Sequence, residues 1–138
     1  MVNKFAVAEQ AKRVGQFCLS HELAPELILS SPLVRARQTA EHFAAELGSG
    51  NMQVAGFVAS GMRPEAALVE LKAYEKLASV MLVGHEPDFS VLIAKLLGMP
   101  GSEQLHVRKA SLTLLEIGAL KPGGARLEFS IPARFMGE

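Results

Sequence analysis

The chain is short of several things, and each shortage narrows what it can be. One cysteine in 138 residues leaves no internal disulfide, and Cys18, set in a helical pattern, reads as a small buried hydrophobe suited to a reducing cytoplasm. Neither charge is in excess: 14 basic and 14 acidic side chains give a net charge of zero, which removes the broad basic face of a nucleic-acid binder. No apolar run approaches the length that spans a bilayer, so no membrane span is expected. The amino terminus shows no basic segment followed by an apolar core, so no signal peptide is expected either. No His/Cys/Asp/Glu cluster has metal-ligand spacing, and neither a metal nor another cofactor is expected. Gly-x-Ser-x-Gly, the Walker lysine loop and Gly-x-Gly-x-x-Gly are all missing.

What remains is apolar and patterned. Hydrophobic residues make up 49% of the chain, too many for disorder, and no linker, repeat or low-complexity tract divides residues 1–138, so one domain with a real core is expected. The stretch Leu27-Ile28-Leu29-Ser30-Ser31-Pro32-Leu33-Val34-Arg35-Ala36-Arg37-Gln38-Thr39-Ala40 reads as a buried strand delivered onto a helix amino terminus. Such a junction seats anions, because orphan N–H groups and the positive end of the helix dipole point at whatever lies above the strand end. A second stretch, Val80-Met81-Leu82-Val83-Gly84-His85-Glu86-Pro87-Asp88, repeats the logic with a histidine. Two such junctions are what a parallel sheet needs to build a site at its carboxyl edge.

The other elements follow from spacing. Val7, Ala11, Val14 and Cys18 mark a helix from about Val7, with Glu9, Lys12, Arg13 and Gln16 outward. Leu33, Ala36, Ala40, Phe43, Ala44 and Leu47 line a helix starting at Pro32, capped with help from Ser30 and Ser31 and ended by Gly48. Met52 to Phe57 suits a short strand, and Pro64 opens a helix running to about Ala78. Asp88 reads as the N-cap of a helix through Leu97, ended by Gly98. Ser111 to Ile117 and Ala125 to Ile131, around Lys121-Pro122-Gly123-Gly124, suit an antiparallel pair. The alternation of helices and strands argues for α/β layers with an antiparallel flank.

Candidate chemistry concentrates at the two junctions. Arg35 sits in a first turn, where a cation meets the wrong end of the dipole unless an anion compensates; the competing assignment is a surface arginine paired with Glu41. His85, at a strand mouth, could donate to a phosphate oxygen or move a proton, or be a hydrogen-bonded structural histidine. Gly84 permits close backbone approach or is a turn glycine. Ser30 and Ser31 are nucleophiles only if a base lies nearby. Arg37, His21, His42 and His106 are better read as ordinary surface or structural residues. Glu86 and Glu65 are weak candidates for a general acid, better read as solvated carboxylates.

Together these residues resemble a family. Ser30 to Ala40 is similar to the second signature of the histidine phosphatase superfamily, and Val83-Gly84-His85-Glu86-Pro87 to the third. The small size, Gly61-Met62-Arg63-Pro64-Glu65-Ala66-Ala67-Leu68 and the strand beginning Lys109-Ala110-Ser111-Leu112 narrow the likeness to SixA-like phosphohistidine phosphatases. The resemblance implies a three-layer, phosphoglycerate-mutase-like α/β fold: a mostly parallel open sheet flanked by helices, with an antiparallel C-terminal strand pair. It implies that Arg35 binds the phosphoryl group with His85 and Ser31, that His85 stabilises charge on the transferred group, and that the partners are inorganic phosphate and a cytoplasmic, histidine-phosphorylated signalling protein. Family members attack phosphorus with a first histidine, in an Arg-His-Gly motif ending their first strand.

Arg-His-Gly occurs nowhere in this sequence, and the first strand of the sheet is expected to be missing with it. An open slot in mid-sheet would cost many kcal/mol against the ~5–15 kcal/mol stability of a typical domain. Three accounts follow: an amino-terminally incomplete product of a SixA-like enzyme, favoured because both junctions are intact; a degenerate member that binds without turnover; or a homodimer or partner that donates a strand. Little or no phosphatase activity is expected of the isolated chain.

Overall fold

Leu27, Ile28 and Leu29 are all buried, as are Val80, Met81, Leu82 and Val83. Strands that are dry on both faces belong inside a sheet covered on both sides, and the computed structural model shows that sheet. It describes residues 4–7, 11–48, 51–107 and 111–136. The strands are β1 (Lys4–Val7), β2 (Leu27–Ser30), β3 (Met52–Val54), β4 (Ser79–Val83), β5 (Ser111–Ile117) and β6 (Ala125–Pro132). The helices are α1 (Ala11–Ser20), α2 (Val34–Leu47), α3 (Pro64–Leu71) and α4 (Asp88–Leu97). One six-stranded sheet has the order β3-β2-β4-β1-β5-β6. Strand β2 runs parallel to β3 and β4, and β5 pairs antiparallel with β6.

Alternation along the strands divides the core in two. Leu27, Leu29, Val80 and Leu82 face a cluster with Leu68 and Leu71 of α3 and Phe89, Leu92, Ile93 and Leu96 of α4. Ile28, Met81 and Val83 face the other, with Val14 and Cys18 of α1 and Phe43 and Leu47 of α2. The result is helix, sheet, helix, as the resemblance implies. Burial of Cys18 pushes its thiol up to about 11, which leaves it neutral and inert.

One expectation about the centre of the sheet is corrected. The helical spacing starts a helix at about Val7 and leaves the first strand out. Instead Lys4–Val7 is a strand, parallel to β4 and antiparallel to β5, with Val7 level with Leu82 and Thr113, and α1 begins at Ala11. The physical reason is the unmet ladder. Two strands flanking an empty position would each lose a row of hydrogen bonds, and four residues of the amino-terminal segment supply it. The Glu9 position of the expected helix lies outside the described residues, as do Lys109 and Ala110, and β5 is described from Ser111.

Smaller differences have local causes. Helix α2 starts at Val34 with Leu33 as its N-cap, two residues later than expected, because the backbone at Ser31 and Pro32 is still leaving the sheet. Strand β3 stops at Val54, and Gly56–Val58 is a 3-10 turn. Helix α3 ends at Leu71 and continues as a 3-10 turn over Lys72–Tyr74. Gly48 and Gly98 end α2 and α4 in the left-handed region, at φ 71° and 76°, as expected of C-cap glycines.

Candidate active site

Strands β2 and β4 are hydrogen-bonded neighbours, with Ser30 level with Val83. Their carboxyl ends therefore open side by side. The N–H of Ser31 still donates to the Val83 carbonyl at 2.9 Å, after which the two chains separate into their loops. That shared exit puts Ser31 beside His85: Ser31 Oγ lies 2.8 Å from His85 Nε2 across 54 residues of sequence. Ser31 is fully buried, and its Oγ also accepts the Leu33 N–H at 3.2 Å. Ser30, equally buried, donates its hydroxyl to the Ser31 carbonyl at 2.9 Å, and among the described residues it bonds no basic side chain.

Arg35 is the second residue of α2 and is exposed. Among the described residues its guanidinium has no hydrogen bond or ion pair, so the alternative pairing with Glu41 is not formed. Within its own helix, Thr39 Oγ1 donates to the Arg35 carbonyl at 3.0 Å. No side chain caps α2, and no acidic residue lies in its first turn. The orphan N–H groups of that turn therefore have no carboxylate of their own.

The β4–α4 junction is filled by contrast. Glu86 Oε1 accepts the Ser90 N–H at 3.0 Å, and Oε2 accepts the Ser90 hydroxyl, so this carboxylate caps the helix. Asp88, expected as the N-cap, is the first residue of α4 instead. Its Oδ2 accepts the N–H groups of Gly61 at 2.8 Å and Met62 at 3.2 Å, fastening the loop before α3 to the turn that carries His85. Nothing local in the sequence marks that clamp, because the carboxylate lies 27 and 26 residues beyond the N–H groups it accepts from. Gly84 is small because of packing: a Cβ there would lie 2.8 Å from Phe89 Cζ and 3.0 Å from Val58 Cγ1.

The remaining candidates have structural occupations. Glu65 is exposed and pairs with Lys95 at 3.3 Å. A backbone hydrogen bond in its own helical turn, helped by Lys95, holds its carboxyl below the ordinary value of 4.5, which is the wrong direction for a general acid. His21 packs against Phe17 with ring centroids 4.4 Å apart, and His42 and His106 are exposed. Among the described residues no group of three or more His, Cys, Asp or Glu could hold a metal ion. A cleft of about 500 Å³ lined by Glu26, Asn51, Tyr74 and Lys76 opens at the amino ends of β2 and β3, the opposite edge from His85.

Among the described residues, a guanidinium without an ion-pair partner, a helix amino terminus without a side-chain cap and an imidazole stand at neighbouring strand ends. Comparison with known proteins bears on the same residues. Residues 8–57 match the family model of the histidine phosphatase superfamily (branch 1), a span that holds Ser31 and Arg35 and ends before His85. An uncharacterised protein of Picosynechococcus sp. strain PCC 7002 is 37% identical over 115 residues, 81% of this chain and 69% of that protein. The structure of the protein histidine phosphatase SixA complexed with tungstate matches with a TM-score of 0.79 at 17% identity, over 95% of this chain and 97% of that one. The alpha-ribazole phosphatase from Shigella flexneri matches with a TM-score of 0.75 at 15% identity, over 98% of each chain. At such identities the structural likeness is one of fold.

Proposed function

Because this chain belongs to the histidine phosphatase superfamily (branch 1) and has the SixA-like fold, we propose that the carboxyl edge of β2 and β4 is a phosphoryl site whose substrate is a histidine-phosphorylated protein. The guanidinium of Arg35 grips two phosphoryl oxygens, the geometry at which arginine binds most strongly. The first-turn N–H groups of α2 face the same anion, and His85 donates to a further oxygen and stabilises the charge of the bound phosphoryl group. Ser31 enters this site through His85. The observation that carries the reading is the 2.8 Å contact between Ser31 Oγ and His85 Nε2, which joins two signature stretches far apart in sequence. The tungstate held by the SixA relative, a tetrahedral oxyanion, supports it.

Turnover in this family needs the histidine of Arg-His-Gly as nucleophile, and no such motif stands in the sequence. The isolated chain accordingly binds the phosphoryl group and hydrolyses little or none of it. The same missing motif favours a second reading, a non-catalytic phosphate or phosphoprotein-binding module of the same fold. Titration with phosphate or vanadate tests the shared site: Arg35→Ala weakens binding about 10- to 100-fold, the value of a charge-assisted hydrogen-bond pair, and equal affinity removes Arg35 from it. Hydrolysis of a phosphohistidine protein tests the rest. Turnover clearly above a His85→Ala control overturns the claim that the chain does not turn over.

A further inference from the structure

We propose that Ser31 is a positioning residue that holds the His85 imidazole in its Nδ1–H form, so that the proton sits on the nitrogen turned away from the serine. A buried hydroxyl must place its proton as well as its lone pairs. Ser31 is fully buried, and its oxygen is already the acceptor for the Leu33 N–H. Its own proton then has one acceptor among the described residues, His85 Nε2 at 2.8 Å. With Nε2 protonated instead, the serine oxygen would accept twice and its hydrogen would be buried without a partner. A neutral imidazole carries one proton, so that proton lies on Nδ1.

Two consequences follow. Nδ1 is not an enclosed, unsatisfied atom, and among the described residues it has no protein partner; it is therefore the donor that an incoming oxyanion meets. The serine also couples the two junctions. One oxygen receives the N–H of Leu33, the residue just before α2, and directs the ring that follows β4. The claim that Nδ1–H donates to an anion rests on the phosphoryl-site reading, whereas the tautomer does not.

Two-bond proton–nitrogen correlation spectra of the whole protein, labelled with ¹⁵N-histidine, test the proposal at a pH of about 8, where an ordinary imidazole is neutral. His85 is assigned by the signals lost in His85→Gln. In the anion-free wild type, Nε2 is expected in the unprotonated region and Nδ1 in the protonated region; the reverse pattern overturns the proposal. In Ser31→Ala the two nitrogens move toward averaged positions and phosphate affinity falls about 3- to 10-fold, while Ser31→Thr keeps both the pattern and the affinity. An unchanged His85 pattern in a folded Ser31→Ala protein also overturns it. If added phosphate leaves the Nδ1 signal of the wild type unmoved while the tautomer is as stated, the phosphoryl-site reading fails and the role of Ser31 stands.

Discussion

The two strand-to-helix junctions at the carboxyl edge share a topology and differ in how their polar groups are used. After β4, each carboxylate is spent on the protein: Glu86 caps α4 through Ser90, and Asp88 fastens the loop at Gly61 and Met62. After β2, the helix has a leucine at its N-cap, no carboxylate in its first turn and an arginine whose guanidinium bonds nothing among the described residues. Helix α3 resembles α4 in this respect, with Glu65 in its first turn. An amino terminus left without an anion, beside a cation that the dipole disfavours, gives up about 0.3–1 kcal/mol of helix stability that a carboxylate would supply. The filled junction fastens the turn that carries His85 through the bonds of Glu86 and Asp88. On the proposed reading, the open one is where the phosphoryl group sits.

The largest effect expected from disturbing that contrast lies under the filled junction. Gly84→Ala puts a methyl group 2.8 Å from the ring of Phe89 and 3.0 Å from Val58, both of them buried core residues. Both side chains are packed on all sides in the core, so the added methyl forces a shift there and a loss of about 1–3 kcal/mol is expected, as for other overpacked cores. Urea unfolding measures it. Because the turn carrying His85 shifts with Phe89, phosphate affinity should fall as well; a variant that loses neither would show that this junction is not tightly built.

Much of this contrast was legible in the sequence, and the part that was not has one physical cause. Apolar runs closed by Ser-Ser-Pro and Gly-His-Glu-Pro announce strand ends, because local composition decides where a chain can stop being a strand, and the C-cap glycines at 48 and 98 announce helix ends for the same reason. Arg35 and His85 were readable as candidates on those grounds. The partners of Glu86, Asp88 and Ser31 were not, since a carboxylate in a first turn looks the same whether it faces water or a backbone N–H from a distant loop. The strand at Lys4–Val7 was missed similarly. Its residues hold no strong pattern of their own, and it is the vacant edges of β4 and β5, settled far along the chain, that give them a ladder to join.

A change of intermediate size converts the open junction into one like its neighbour. Leu33 is the N-cap of α2, 48% exposed and extended in backbone, at φ −68° and ψ 144°, which is the conformation from which an aspartate caps a helix. Leu33→Asp should raise stability by about 0.5–2 kcal/mol, read as a shift in the denaturation midpoint. The same carboxylate would occupy the N–H groups proposed to bind phosphate and would repel the anion, so affinity should drop while stability rises. Parallel gains in both would mean that the phosphoryl group binds away from the α2 amino terminus.

The smallest effect is expected at Glu65, where a first-turn carboxylate is already in place but faces solvent. The hydrogen bond from its own helical turn, then Lys95, keeps its folded pKa below 4.5, so its contribution is present above the unfolded value and is lost as pH falls through the folded one. Glu65→Gln should leave the melting temperature at pH 7 nearly unchanged, because exposed pairs of this kind are screened, and should flatten the acid limb of the stability curve below about pH 5. A large loss at neutral pH would mean that a first-turn carboxylate matters to these helices even when exposed. The missing carboxylate of α2 would then be a greater sacrifice of stability than its geometry indicates, and the case for a ligand that repays it would be correspondingly stronger.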